Sequence, residues 1–219
     1  MQATLTVESR PNISETLANT LRDMIFDADL SAGERINEVH LSQQLGISRT
    51  PLREALTMLV AEGALISIPR RGCFVRALTR KEFEDIYPMR SILDPEALKL
   101  SGIPSAQSFE RLERIHAKMR AAKDMKTRVS LDEAWHLELV SECENEVLIG
   151  LIKHFMHRFR RYGLAFARER EVIATANREH VEIILALRAG ALDEACTWLR
   201  KNLTSNKKPI LEWLDERQG

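Results

Sequence analysis

Apolar residues between positions 38 and 62 recur at intervals of three and four, which is the spacing of an amphipathic helix. They are Leu41, Leu45, Leu52, Leu56 and Leu59. Gly46 separates the first pair from the other three, and glycine readily takes the positive φ at which a helix ends. Ser48 is a favoured N-cap, and Pro51 is tolerated in a first turn because its missing N–H has no partner there. The pattern predicts two short helices, over 38–45 and 49–62, joined by a tight turn.

A helix before this pair and a hairpin after it complete the first part of the chain. The helix is predicted over 14–27, after a loose arm at 1–13. Apolar and polar residues alternate along Leu65–Pro69 and Cys73–Arg76, on either side of Arg70-Arg71-Gly72. Alternation around such a turn is typical of a β-hairpin. The sequence therefore predicts a winged helix-turn-helix domain in this part of the chain.

The pattern changes after Ala77, where strand signals disappear and apolar residues recur with helical spacing. Breaks at glycine, proline and polar turn residues divide this part into six predicted helices. They cover residues 79–101, 105–123, 129–143, 145–167, 171–188 and 191–214. We therefore expect a mainly α protein of two domains, a winged helix-turn-helix at 1–77 and an all-α bundle of six helices at 78–219.

The local placement of charge is more informative than the total. The formal net charge is zero, and residues 1–77 hold eight arginines, no lysine and nine acidic residues. Five arginines fall at the second helix of the pair and at the hairpin: Arg49, Arg53, Arg70, Arg71 and Arg76. Arg49 and Arg53 share one helix face, beside an N-terminus that itself attracts phosphate. Because an arginine fork fits the acceptor edge of guanine, this helix is suited to the DNA major groove.

Residues 14–76 resemble the winged helix-turn-helix of the GntR family of bacterial transcription regulators. The resemblance rests on Gly33, Glu38, the run Gly46–Leu56, Glu62-Gly63, Pro69-Arg70-Arg71-Gly72 and Val75. It implies that Arg49, Thr50 and Arg53 contact DNA from the recognition helix. It also implies that Arg71 and Gly72, at the wing tip, enter the minor groove. Many members carry arginine where this chain has Val39, so we expect one phosphate or base contact of the family to be absent here.

A carboxylate and two imidazoles stand out among the helices of the second domain. Asp132 and His136 are spaced i, i+4 and share a helix face, and His180 comes from another predicted helix. Such groups facing the centre of a bundle are a usual way to hold a divalent cation. Considered alone, this pattern is more often a surface pair or a satisfied core histidine, so the residues themselves leave both readings open.

The second domain resembles the FCD ligand-binding domain of one large GntR branch, in its shorter VanR-type form. The family pattern has an Asp and a His four apart, a His in a later helix and a last His in the final helix. Asp132, His136 and His180 match the first three positions, and Asn202 stands at the fourth. The resemblance implies a divalent metal site, for zinc, nickel or manganese, in which an amide replaces one imidazole. Asn is a poor zinc ligand, so the alternative is a vestigial polar pocket that holds water or the effector directly.

Arg90 is a candidate for binding the effector. In the family an arginine in a similar phrase often faces the effector pocket, where a bidentate fork would suit a carboxylate. The alternative for Arg90 is an intradomain salt bridge with Asp94, one turn further on. We interpret His116, like His40, as an exposed residue without a role in the site.

These features together predict a ligand-responsive DNA-binding transcription regulator and not an enzyme. We expect a homodimeric repressor that an organic-acid effector releases from an inverted-repeat operator. One alternative is a constitutive DNA-binding regulator with a vestigial pocket. Another is a metal-dependent enzyme, although no HExxH motif or nucleophile–base pair supports it. Three cysteines without a pairing pattern, and no signal sequence or long apolar run, predict a cytoplasmic protein without a membrane partner.

Overall fold

The computed structural model describes residues 13–26, 29–166 and 170–218. Except for Ile13, the predicted arm lies outside these ranges, and so does the predicted end of the first helix at Asp27. The chain forms two compact units, Met1–Ala77 and Leu78–Gly219. The protein is mainly α-helical with one small sheet, as the sequence predicted.

The described residues of the first unit form three helices and a hairpin. The helices are α1 (Ile13–Phe26), α2 (Glu38–Gln44) and α3 (Arg49–Ala61). The side chain of Asn37 caps α2 by accepting hydrogen bonds from the backbone N–H groups of Val39 and His40. Ser48 occupies the N-cap position of α3 with extended backbone, but its side chain makes no capping hydrogen bond. The predicted helix pair is therefore present, and its first member is fixed by a residue that the pattern did not identify.

The hairpin follows α3 and closes the apolar core of the first unit. Strands β1 (Leu65–Ile68) and β2 (Gly72–Val75) pair antiparallel, with Leu65 opposite Val75. Arg70 has a φ of 63° and Gly72 a φ of 96°, so both lie in the left-handed region that a tight turn requires. The core packs the two predicted helical stripes against α1 and the hairpin, through Leu17, Leu21, Leu41, Leu52, Leu56, Leu59, Leu65 and Val75. The exposed turn of the hairpin is thereby held on a packed base.

The second unit contains seven helices in its described residues, where the sequence predicted six. They are α4 (Arg80–Ser101), α5 (Ala106–Ala121), α6 (Met125–Leu139), α7 (Glu146–Phe166), α8 (Arg170–Arg188), α9 (Leu192–Asn202) and α10 (Lys207–Gln218). Within the part of the chain that the structure describes, no helix is both long enough and apolar enough to cross a bilayer.

The count of six was wrong because the last predicted helix, 191–214, is two helices separated by a turn. Thr204 and Ser205 lie in this turn, and their hydroxyls donate to backbone carbonyls of the preceding turn, Thr204 to Arg200 at 2.8 Å and Ser205 to Asn202 at 3.1 Å. Such bonds compete with the helical ladder. Pro209 lacks the N–H that a continuous helix needs and would clash with the preceding turn. In the first turn of α10 it has neither problem.

Helix α6 begins and ends about one turn before the predicted range of 129–143. The side chain of Asp124 accepts a hydrogen bond from the backbone N–H of Thr127 at 2.8 Å, so Asp124 is the N-cap. The polar residues around Thr127 therefore belong to the first turn of α6 and do not break the chain there.

Two separate apolar clusters stabilise the part of the second unit that the structure describes. The central core gathers residues from all the helices α4 to α9, with Trp135 among its largest members. A second group, the aromatic cluster, comprises Phe83, Ile86, Tyr87, Tyr162, Ile210 and Leu214. The hydroxyl of Tyr162 donates within 3.3 Å of the carbonyl of Thr79 and 3.0 Å of a carboxylate oxygen of Glu82. The aromatic cluster thus packs α10 and α7 against the beginning of α4.

Candidate functional site

The structure brings Asp132, His136 and His180 together inside the second unit. Asp132 and His136 lie on one face of α6, and His180 projects from α8. Nε2 of His180 is 3.6 Å from Oδ1 of Asp132, and Nε2 of His136 is 3.9 Å from Oδ2. All three ligand atoms lie within 4.8 Å of one another. Three groups that ligate divalent cations therefore converge from two helices.

Both imidazoles are buried and held by aromatic contacts. His180 is fully buried and stacks on Trp135, with ring centroids 4.0 Å apart. His136 is 2% exposed and meets the His180 ring edge-on. Within the described ranges, neither nitrogen of His180 has a hydrogen-bonding partner, and neither does Nδ1 of His136. Buried polar atoms without partners are costly, so these nitrogens are suited to a ligand that replaces the missing bonds.

Burial sets the protonation of the three groups in opposite directions. It lowers the pKa of His136 well below the ordinary value and that of His180 to about 3, assisted by the positive charge of Arg90. It raises the pKa of Asp132 to about 6, although Arg90 opposes this rise. Asp132 is 39% exposed, because it faces the cavity described below. At neutral pH both imidazoles are therefore neutral and Asp132 is mostly ionised, which is the state that a metal ion requires.

Asn202, the predicted fourth member, lies at the end of α9 and is buried. Its Nδ2 donates to Glu179 at 3.3 Å, which leaves its carbonyl oxygen for other partners. Ligands of a tetrahedral ion with bonds of about 2.1 Å are separated by about 3.4 Å. Two of the observed separations, 3.6 and 3.9 Å, are near this value and all three lie within 4.8 Å, so the donor set fits a divalent cation once the side chains move closer together.

A cavity opens beside this cluster. Its empty space is about 1040 Å³ including the open mouth, and Asp132, His136, Asn202 and Arg90 contribute to its wall. Nη2 of Arg90 donates to Oδ2 of Asp94 at 2.6 Å, and both residues are buried. The two interpretations of Arg90 are therefore compatible, since the residue is paired with Asp94 and also lines the cavity. Its Nε is buried and has no hydrogen-bonding partner among the described residues.

His116, which we interpreted as exposed, is buried beside the cluster. It is 7% exposed, and its ring is 5.7 Å from that of His180 in an edge-on contact. Burial lowers its pKa, so it is neutral near pH 7. The signal was in the sequence, because Leu112 and Met119 are buried on the same face of α5, four residues before and three after His116. A histidine within an apolar stripe should have been assigned to the interior.

The predicted DNA-contacting residues of the recognition helix lie at the beginning of α3 and are exposed. Arg49 and Thr50 are its first two residues. Arg53 follows one turn later, with a side chain that is 67% exposed. Its Nε donates to Oε2 of Glu38 at 2.8 Å, and Glu38 is the first residue of α2. This ion pair is largely solvated, so its strength is modest, but it orients Arg53 relative to α2.

The predicted wing residues lie at the exposed turn of the hairpin. Arg71 and Gly72 are both exposed, and the Arg71 guanidinium lies 5.8 Å from the centroid of the Phe74 ring. The structure therefore presents a recognition helix and a wing, each with an exposed arginine. Val39, where many members of the GntR family carry arginine, is 45% exposed on α2.

Comparison with protein families gives two matches that together span most of the chain. The family described as bacterial regulatory proteins, gntR family, matches residues 13–75. The family described as the FCD domain matches residues 85–205. The first range contains the helix pair and the hairpin, and the second contains the Asp132, His136 and His180 cluster.

Several curated proteins and solved structures are similar along most of their length. The Nta operon transcriptional regulator of Aminobacter aminovorans is 32% identical over 189 residues, covering 82% of this chain and 86% of the relative. The putative L-lactate dehydrogenase operon regulatory protein of Escherichia coli (strain K12) is 28% identical over 209 residues, covering 84% and 80%. The solved structure of E. coli McbR/YncC has a TM-score of 0.78 at 20% identity, covering 94% of this chain and 99% of that one. At this identity the structural likeness shows the fold alone.

Proposed function

Because the chain belongs to the GntR family of bacterial regulatory proteins and carries an FCD domain, we propose that it is a homodimeric repressor controlled by an organic acid. The observation that carries the effector proposal is that Asp132, His136 and His180 converge beside a cavity, whose wall includes Asp132, His136 and Arg90. The relatives are named as transcription regulators and not as enzymes, which supports the DNA-binding half.

The chemistry of the cavity supports an acidic effector. Asp132, His136 and His180 would hold a divalent cation, with the carbonyl of Asn202 as a weaker ligand. The cation would supply a Lewis-acidic centre for a carboxylate oxygen. Arg90 would pair with the same acidic group through the donors that Asp94 leaves free, and its burial strengthens such a charge-assisted bond. One relative is named for an L-lactate dehydrogenase operon, and lactate is an organic acid of this class.

The first unit supports operator binding by the mode expected of its fold. Arg49, Thr50 and Arg53 would enter the major groove from α3, and Arg71 and Gly72 would reach the minor groove from the hairpin. A single winged unit buries little DNA surface, so two copies on an inverted repeat are needed for tight and specific binding. The dimer would be made by the second unit.

The experiment has two steps. Binding sequences are first selected from a random DNA pool with the full-length protein, and the enriched sequence is expected to be an inverted repeat. Fluorescence anisotropy then measures affinity for this DNA with and without manganese and short carboxylic acids. Release by at least one acid is expected, with a coupling of about 1–3 kcal/mol.

Two variants decide between specific and general effects. The Arg90→Ala variant should remain bound to the DNA in the presence of the acid, because it lacks the guanidinium that would pair with the carboxylate. Arg114→Gln removes a cation from an exposed site outside the cavity wall and should respond like the wild type. An unchanged response in Arg90→Ala, or DNA binding that no acid alters, would contradict the proposal that an organic acid in the cavity controls DNA binding.

A further inference from the structure

Among the residues that the structure describes, three arginines line the cavity, and two of them are already neutralised. Arg90 pairs with Asp94 at 2.6 Å. Arg160 pairs with Glu133 at 2.8 Å and also donates to the hydroxyl of Ser130. Two of the three positive charges in the wall therefore have carboxylate partners inside the protein.

Arg128 is the third arginine, and it has no carboxylate partner among the residues that the structure describes. Its Nη2 donates to the backbone carbonyl of Ala122 at 2.8 Å. A guanidinium has five N–H donors, so this bond leaves most of the fork available to the cavity. Arg128 also lies in the first turn of α6, where the helix dipole gives a cation no stabilisation. A partly buried, unneutralised guanidinium at such a position is suited to an anionic ligand.

Arg90 and Arg128 lie at different places in the cavity wall. The positive charge of Arg90 lowers the pKa values of Asp132, His136 and His180. Arg90 therefore lies close to the place where these groups converge. Arg128 lies four residues before Asp132 on α6, which is a rise of about 6 Å along the helix axis. The wall therefore offers a cation at the cluster and a second cation about one helical turn away.

We propose that Arg128 binds a second acidic group of the effector, so that the cavity selects compounds with two carboxylates over those with one. This inference rests on the proposed function, since it assigns the other carboxylate to the part of the cavity wall that holds Arg90. A ligand with one carboxylate would leave the Arg128 fork without a counter-charge. A short dicarboxylate would satisfy both arginines.

The test compares matched acids on the full-length protein by isothermal titration calorimetry. The pairs are succinate with butyrate, glutarate with valerate and adipate with hexanoate, so that each dicarboxylate has a monocarboxylate of equal carbon number. In the wild type at least one dicarboxylate should bind at least about tenfold more tightly than its partner, which corresponds to about 1.4 kcal/mol. A ratio near one for all three pairs would overturn the proposal.

The variants separate an anion contact from a structural role. Arg128→Gln should bring the ratio near one, whereas loss of the Ala122 contact alone would weaken both acids of a pair equally. Arg128→Lys should keep part of the ratio, because it retains the charge without the planar fork. Arg114→Gln should leave the ratio unchanged. If Arg128→Gln keeps the wild-type ratio of dicarboxylate to monocarboxylate affinity, Arg128 does not bind the second carboxylate.

The same titrations distinguish failure of this proposal from failure of the proposed function. If monocarboxylates bind the wild type and lose binding in Arg90→Ala, the organic-acid site stands whatever Arg128 contributes. If every ratio is then near one, only the assignment of Arg128 fails. If no acid binds the wild type with manganese present, both proposals fail.

Discussion

The pH dependence of metal binding should reveal which group of the cluster takes up the competing proton. A metal ligand must be deprotonated, so affinity falls wherever a ligand becomes protonated in the metal-free protein. Burial holds the pKa of His136 well below the ordinary value, and the pKa of His180, about 3, is too low for this residue to take up a proton between pH 7 and pH 5. The pKa of Asp132 is about 6, so Asp132 does.

The magnitude follows from one titrating group. With a pKa of about 6, lowering the pH from 7 to 5 protonates most of Asp132 and should weaken metal binding about tenfold. If both imidazoles instead titrated at the ordinary value of about 6.5, the same change would weaken binding about 600-fold. The two accounts therefore differ by more than an order of magnitude in a measurable quantity.

The assay is calorimetric titration of the metal-free protein with manganese across this pH range, in buffers that do not chelate the ion. Asp132→Asn should bind more weakly, and its affinity should be nearly constant with pH because the titrating carboxyl is gone. A loss near 600-fold in the wild type, or a pH dependence that persists in Asp132→Asn, would refute the assignment of the proton to this residue.

Three further outcomes test other parts of the molecule. Arg53→Ala should weaken binding to the selected operator by about 1–3 kcal/mol in an anisotropy titration. Wild-type affinity in the Arg49→Ala, Arg53→Ala double variant would show that α3 is not part of the DNA interface. Asn202→His should tighten manganese or zinc binding in calorimetry and His136→Ala should abolish it; equal affinity in all three proteins would mean that the metal binds elsewhere. The fragment 78–219 should sediment as a dimer at micromolar concentration, whereas a monomer there, with an unchanged operator footprint, would assign dimerisation to another part of the chain.

Local patterns predicted most of the first unit because its elements are short and strongly marked. Gly46 has a φ of 66° at the predicted turn, and the stripes of Leu41 and Leu52 both enter the core. Residue preferences alone did not decide between equivalent polar residues. The predicted start of α6 at 129 missed Asp124, whose capping hydrogen bond with Thr127 depends on the path of the chain after α5.

The site could be predicted only in part, because its members are distant in sequence. Periodicity placed Asp132 and His136 on one face, but only the family resemblance joined them to His180, 48 residues after Asp132. His116 was missed although its spacing was informative. The order of the pKa values could not be predicted either, since it depends on how completely the fold removes each group from water.

The cavity lies between the two apolar clusters of the second unit, and this position affects local unfolding. Met156 of the central core and Tyr87 of the aromatic cluster both contribute to its wall. Without a bound molecule the cavity would interrupt their packing, so the aromatic cluster would be joined to the rest of the unit by fewer contacts than a continuous core would give. Segments that depend on the aromatic cluster, α10 and the beginning of α4, should therefore open at the lowest free energy and exchange their amide hydrogens fastest.

A bound molecule that fills the cavity would join the two clusters and slow this opening. Tyr162 of the aromatic cluster holds the carbonyl of Thr79, two residues after the first unit ends at Ala77. The amides that gain most protection should then include those that lead into the first unit. Binding of an effector would then affect the first unit through a change in how often this segment opens, even where the average positions of its atoms stay the same.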